Sequence, residues 1–456
     1  MGKPTTSVNA PTQSTVNYDD VPELKMPPAK AYFWSFILWF MFVLDIMDRF
    51  TLAVCLPAIK KEFLLTDAQG GMLGTVFSLT MVIFSIPIGI VAFKWSRRKV
   101  CAIMVGFWSL ATMGTGMANN YAHLIGARMA TGLGEASYLS VAYALLSAYF
   151  PKNKRGFLLT IFNTGNHVGK TVGVMIAGYL AYHFGWRNCF YIVAIPGLIM
   201  AVFAWFLPDF KNEVKVKVDK MEQEGQLDFT IHKTGTKEVI SYIFRSPAVF
   251  MSILLSAGFV MVNASLAFWG ITIFTRTFDV NVKDAATFIG TVGIVTTLLL
   301  IPGGKLTDIF HKRFKAGRVI YSLFLGFGIL ASVIVFTMNN LDAKSLTVAL
   351  ISYGCLTIML MLAFGNTNTI TQDLLPPHYR TVASSFIPVS NQLIGGMTGP
   401  LMVGMFSDRF GISLGFGYVT AIAFTLIMVL SIGCKIFYEK DRKKLEAMGH
   451  FDLEKA

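Results

Sequence analysis

The sequence predicts an all-α polytopic membrane protein, with twelve transmembrane helices in two pseudo-symmetric six-helix bundles. Three observations carry this. Of 456 residues, 54% are hydrophobic and only 14% charged, and the mean hydropathy is +0.58; a soluble domain carries roughly 25% charged residues. The apolar residues fall into twelve runs, many near or above the length that spans a bilayer. One polar stretch divides those runs six and six.

In order, the predicted spans lie near 31–58, 68–93, 100–118, 121–150, 157–183, 187–207, 248–275, 285–309, 318–338, 345–372, 380–407 and 413–438. The expected organisation is a cytoplasmic tail 1–30, a first bundle 31–207, a linker 208–247, a second bundle 248–438 and a second cytoplasmic tail 439–456. The linker holds seven Lys/Arg and seven Asp/Glu, which suits a solvated segment with room for a short surface helix. Residues 1–30 are polar and contain Pro11, Pro22, Pro27 and Pro28, so they read as a soluble tail and not a cleavable signal.

The net charge of +13 is a matter of placement. With the N-terminus inside, 28 Lys/Arg fall on the cytoplasmic side, 7 in outer loops and 4 within spans. This bias puts both termini in the cytoplasm, and a bacterial inner membrane is the expected location. The charge therefore argues for topology and against nucleic-acid binding. Cys55, Cys101, Cys189, Cys355 and Cys434 are odd in number and show no metal or disulfide spacing. They read as small core residues. No nucleotide loop, catalytic triad or metal cluster is present, so neither an enzyme nor a cofactor is expected.

The chain also repeats itself. Leu73-Gly74-Thr75-Val76 with Pro87 and Gly89 in span 2 matches Ile289-Gly290-Thr291-Val292 with Pro302 and Gly304 in span 8. In spans 5 and 11, Gly169, Gly173, Gly178 and Phe184-Gly185 match Gly395, Gly399, Gly404 and Phe410-Gly411 at a constant offset of 226. Glycines at such steps let helix backbones approach closely in lipid. Two like halves with a site between them describe a carrier that works by rocking.

Across about 31–438 the sequence resembles the major facilitator superfamily. The likeness rests on Asp48-Arg49, Arg97-Arg98-Lys99, Arg128-x3-Gly132-x-Gly134-Glu135-Ala136-Ser137-Tyr138 and Gly399-Pro400-x3-Gly404-x2-Ser407-Asp408. Met47-Asp48-Arg49 and the Gly134–Tyr138 string are similar to the spinster-like branch, whose members carry lysolipids and sphingoid phosphates. Phe162-Asn163-Thr164-Gly165 with Phe184-Gly185-Trp186-Arg187 resembles the organic-anion symporters of the same superfamily. One string departs. Where the superfamily has Gly-x3-Asp-Arg after span 2, this chain has Gly89-x3-Phe93-Lys94, whereas the second half keeps Gly304-x3-Asp308. The resemblance makes Phe93, Arg97, Arg98 and Asp308 gating residues. It also implies that the basic loop Arg97, Arg98 and Lys99 lacks its acidic partner, so that the resting carrier favours an inward-open state.

Charges within spans cost roughly 2.5–3.5 kcal/mol each and face a cavity or a partner. Asp45, Asp48 and Arg49 share one face of span 1, and Arg128, Gly132 and Glu135 share one face of span 4. Asp48 and Glu135 are the candidate proton carriers, and Arg49 and Arg128 the candidate ligands for an anion; a structural ion pair is the alternative for Asp48-Arg49. In span 5, Asn163, Asn166, His167 and Lys170 form a polar face apart from Gly165, Gly169 and Gly173. Lys170 there is either a substrate contact or a lysine snorkelling to the interface. In the second half, Asn263, Asn366, Asn368, Asn391 and Gln392 are ligand contacts or helix–helix hydrogen bonds, and Trp269 walls a compartment or anchors an interface.

These residues point to a monomeric, proton-coupled secondary transporter of an organic anion or anionic amphiphile, and the resemblance offers a spinster-like lysolipid or sphingoid-phosphate transporter as the alternative. Its partners are then the small-molecule anion, protons and the lipid bilayer. A solute sensor that signals through its tails is the alternative from another class.

Overall fold

The computed structural model describes residues 26–136, 138–209, 236–314, 316–342, 344–376 and 387–447. Among these, every element of regular structure is a helix. Span 1 is Pro28–Phe63, span 2 Asp67–Lys94 and span 3 Arg97–Gly116. Span 4 is broken into Tyr121–Glu135 and Tyr138–Tyr149. Spans 5 and 6 run together as Lys152–Trp205, interrupted at Gly185. After the short helix Thr236–Arg245 come span 7, Pro247–Thr277, and span 8, Val282–Leu298 with Leu300–Arg313. Spans 9, 10 and 12 are Gly317–Leu341, Leu346–Asp373 and Ile412–Ala447; span 11 carries a π-helical turn, Asn391–Gly396, before Thr398–Phe410. Six helices are long and apolar enough to cross a membrane by length and composition, or seven with the two pieces of span 8, which meet at 47°. The helix Asn153–Trp205 contains two of the predicted spans.

The repeat read from the sequence reaches the backbone. Gly185 has φ 80, ψ 161 and Gly411 has φ 82, ψ 159, the same conformation 226 residues apart. Such a φ is open to glycine at little cost and strained for other residues. It breaks the helix at the same place in both halves, between spans 5 and 6 and between spans 11 and 12.

Packing follows the glycine pattern. Span 5 lays Gly165, Gly169 and Gly173 against Phe42, Val43, Ile46 and Met47 of span 1. Its polar face is thereby turned elsewhere, toward the second half. Several spans start on side-chain caps: Thr66 and Gln69 form a reciprocal capping box at span 2, and Ser96, Asn120 and Asn281 cap spans 3, 4 and 8.

At the end of the bundle away from the chain termini, the halves are locked together. Asp408 of span 11 accepts the backbone N–H groups of Asp67 (2.6 Å) and Ala68 (2.9 Å) at the first turn of span 2. Asp67 in turn accepts two hydrogen bonds from Arg276 at the end of span 7, both 2.8 Å, and one from Ser407, 2.6 Å. Lys60 contacts the same carboxylate. Gly404 lies so close beneath span 2 that a Cβ there would stand 2.3 Å from the Asp67 carbonyl oxygen. At the related junction between spans 5 and 8, Lys283 stands over the Tyr182 ring, 6.0 Å from its centroid, and Gly178 lies so close to span 8 that a Cβ there would stand 2.3 Å from the Ala286 Cβ.

At the opposite end, the loop after span 2 corrects an expectation. Phe93 lies on described helix, but its side chain is outside the described residues. The basic loop is not left without an acid, because Asp209, just after span 6, accepts from the Ser96 hydroxyl (2.6 Å) and the Arg98 backbone N–H (3.3 Å). A carboxylate at a helix N-terminus suits its dipole. In the second half Arg318 pairs with Asp373 and, at 3.5 Å, with Asp308.

Candidate functional site

The sequence placed three charges on one face of span 1 and two on one face of span 4. The structure brings all five together. Gly132 makes this possible: a Cβ at that position would stand 2.4 Å from the Phe77 carbonyl oxygen of span 2, so only glycine lets span 4 come this close. Arg128 and Arg49 then flank a single ring, with guanidinium carbons 4.8 and 5.6 Å from the Phe77 centroid.

Arg49 bridges the two spans. Its Nε donates to Glu135 Oε2 at 2.7 Å, and its Nη2 donates to Asp45 at 2.9 and 3.2 Å. The Asp45 and Glu135 side chains are wholly buried, while that of Arg49 is 23% exposed. Arg49 is thus the open edge of a closed cluster. Asp48 takes the Thr112 hydroxyl of span 3 on Oδ2, 2.8 Å. Among the described residues its Oδ1, together with Glu135 Oε1 and Arg128 Nε and Nη1, is buried without a hydrogen-bond partner. Buried polar groups are normally paired, so these four atoms set the cluster apart from an ordinary structural ion pair.

A small cavity of about 20 Å³ lies between the halves. His167, Lys170 and Thr171 of span 5 face Gly293, Thr296 and Thr297 of span 8 and Tyr353, Thr357 and Met361 of span 10 across it. The Lys170 ammonium stands over the Phe50 ring, 5.7 Å from its centroid, one residue along from Arg49. Among the described residues no carboxylate pairs with it.

Other candidates lie apart from this cavity. Asn163 bonds within the first half, donating to the Leu159 carbonyl (2.8 Å) and accepting from Tyr143 (2.7 Å), and Asn166 is exposed. Asn366 is a helix–helix contact, donating to the Arg318 carbonyl (2.8 Å) and the Ser322 hydroxyl (2.7 Å). Trp269 is completely buried, donates to the Pro400 carbonyl (2.9 Å) and carries Lys60 over its ring, which puts it in the distal closure. Asn263 is half-buried on span 7, and Asn391 is buried in the π-helical turn with an unpartnered oxygen. Beside it, Gln392 reaches across to Ser78 of span 2, 2.7 Å. Arg97 and Arg98 open span 3 and Asp308 lies in the second piece of span 8, and among the described residues the structure joins none of them to this cluster.

Sequence reasoning missed the closure formed by Asp67, Arg276 and Asp408, and it left Asp45 without a role. Only Asp408 carried a signal, as the last residue of the Gly399–Asp408 string.

Residues 38–400 match the family model for the Major Facilitator Superfamily. The chain is similar to Protein spinster of Drosophila melanogaster, 26% identical over 392 residues, which is 83% of this chain and 62% of that protein's length. It is also similar to the sphingosine-1-phosphate transporter SPNS2 of Xenopus tropicalis, 24% identical, with 96% of this chain and 89% of that one covered. Among solved structures it superimposes on a bacterial homolog of the human lysosomal transporter Spinster, in an inward-facing and unoccupied conformation. The TM-score is 0.76 at 20% identity, with 91% of this chain and 99% of that one covered. The chain is an integral, multi-pass membrane transporter, and it belongs to the Major Facilitator Superfamily.

Proposed function

We propose that this transporter moves an organic anion together with a proton by alternating access between its halves. The observation that carries the reading is Lys170, a cation without a carboxylate partner among the described residues, in a mid-span cavity lined by both halves. An anionic head is the ligand that completes it. Arg49, whose side chain is 23% exposed and which precedes the Phe50 ring that Lys170 stands over, supplies a second cation.

Charge counting supports the proton. Asp45, Asp48 and Glu135 face Arg49 and Arg128, so one negative charge is in excess, and an unpaired buried charge costs several kcal/mol. One proton neutralises the cluster. Asp48 Oδ1 and Glu135 Oε1, buried without a hydrogen-bond partner among the described residues, leave room for that proton. With the proton in place Lys170 leaves the site one unit positive, fit for a monoanion; without it the anion meets a neutral site and is released. One proton with one monoanion carries no net charge, so the pH gradient drives accumulation, at about 1.4 kcal/mol or roughly tenfold per pH unit.

The distal closure resembles what is expected of a carrier open to the cytoplasm, given the Lys/Arg bias toward that side. The likeness to SPNS2, named as a sphingosine-1-phosphate transporter, favours a second reading in which the anion is the phosphate of an amphiphile. Uptake into proteoliposomes of labelled short carboxylates and of a sphingoid phosphate, with and without an imposed pH gradient, tests both. Accumulation of a carboxylate driven by inward proton flow supports the first reading. Movement of the sphingoid phosphate alone supports the second, and binding without uptake of either contradicts transport.

A further inference from the structure

We infer that Asp45 is a third acid of the proton site: it fixes the charge of the cluster, so that one proton is held whenever Arg49, Arg128, Asp48 and Glu135 are all in place. This rests on the proton-coupled reading above and deepens it. Neither the Asp48-Arg49 string nor the Arg128–Glu135 string includes Asp45, yet geometry makes it the fixed end of Arg49.

The argument starts from Arg49. One guanidinium is shared between two buried carboxylates, Glu135 through Nε and Asp45 through Nη2. Asp45 takes both of its contacts from a single nitrogen on its own helix, at i,i+4, while Glu135 belongs to a different span. A proton arriving on Glu135 weakens the contact to Nε and leaves the Asp45 contact untouched. Arg49 then keeps its ion pair within span 1 alone, at Asp45. Asp45 therefore keeps Arg49 in position through both protonation states.

The same residue sets how many protons the cluster needs. The groups around it are Arg49 and Asp48 on span 1, Arg128, Glu135 and Tyr138 on span 4, Thr112 on span 3 and Phe77 on span 2, with His167 and Lys170 of span 5 beyond Phe50. Tyr138 is committed to the Leu38 carbonyl, which its hydroxyl donates to. Removing the charge of Asp45 leaves two carboxylates facing two guanidiniums. The cluster is then neutral with no proton bound, and an anion can enter at any pH. Proton and anion would be uncoupled without loss of either cation.

The proton itself is the probe, so no substrate is needed. Attenuated-total-reflection infrared spectra of proteoliposomes holding the full chain are recorded across a pH series, reading the C=O stretch of protonated carboxylic acids. The parent is expected to keep one such band at neutral pH. Asp45→Asn should lose it, Asp45→Glu should keep it, and Arg128→Gln should double it, because one cation fewer demands a second proton. The opposite sign in Arg128→Gln keeps the test decisive should Asp45→Asn fail to fold. Retention of the full band in Asp45→Asn, with its loss in Glu135→Gln, overturns the role of Asp45 and leaves the proton-coupled reading standing. A parent with no band at neutral pH overturns that reading itself.

Discussion

The Asp408 carboxylate and the Asp67 backbone N–H meet at 2.6 Å across the two halves, so that one half caps a helix of the other. A helix N-terminus carries unsatisfied N–H groups and a partial positive charge. Here the capping carboxylate comes from a residue 341 positions away, and the cap exists only while the distal end is closed.

Asp408→Ala should therefore open that end. The loss of a cap costs about 1 kcal/mol, with a further 0.3–1 kcal/mol of charge–dipole interaction. A shift of about 1–2 kcal/mol changes a two-state ratio by roughly 5–30-fold. Double electron–electron resonance between spin labels on the distal loops of the two halves is expected to show a longer-distance population growing by that factor.

Gly404→Ala tests the same closure without touching charge. Its Cβ would stand 2.3 Å from the Asp67 carbonyl oxygen, a backbone atom that cannot swing aside. The expected result is the same lengthening of distal distances. It should persist in high salt, whereas the part of the Asp408 effect owed to charge is screened.

Lys170→Gln should weaken binding of an anionic solute about ten- to a hundredfold, the 1.5–3 kcal/mol of a hydrogen bond to a charged group. Arg128→Gln should do less, because Arg128 is 1% exposed against Phe77 while Lys170 faces the cavity. Isothermal titration with the solute found by the uptake panel gives both numbers. Equal affinity in Lys170→Gln and the parent would remove Lys170 from the site.

A pH effect is expected from Glu62, in the last turn of the first helix and beyond the predicted membrane crossing at 31–58. Hydrogen bonds from Arg187 Nη1 (2.5 and 2.6 Å) and from the Trp186 indole (2.7 Å) hold its carboxyl below the usual range. A depressed carboxyl contributes stability that is present above its unfolded value, about 4.3, and lost as pH falls through the folded one. Half-exposed as it is, its effect is small. Melting curves of the parent and Glu62→Gln should converge as pH drops from about 5 to 3, with the parent the more stable at neutral pH.

How much of this was legible in the sequence differs from residue to residue. Gly185 and Gly411 were paired by offset alone, and their matching φ and ψ follow because only glycine adopts that conformation at little cost. The polar and glycine faces of span 5 were likewise set by helical period, which places residues on faces without naming the neighbour. Contact between Arg49 and Glu135 could not be read, since period fixes a direction and not the span that lies along it. Asp67 and Arg276 were harder still. Both read as ordinary loop charges, and their meaning comes from a junction of spans 2, 7 and 11. Asp209 also looked like a linker charge until span 3 was seen to begin beside it. The π-helical turn at Asn391–Gly396 has no periodic signature over six residues.

The central claim is that proton and anion share the cluster around Arg49. Its most direct test is proteoliposome transport by Glu135→Gln, measured as accumulation under an imposed pH gradient and as exchange with equal substrate on both sides. The account predicts that exchange persists, since the cations remain, while accumulation falls to the equilibrium ratio. Accumulation at the parent's level in Glu135→Gln, under the same gradient, would contradict it.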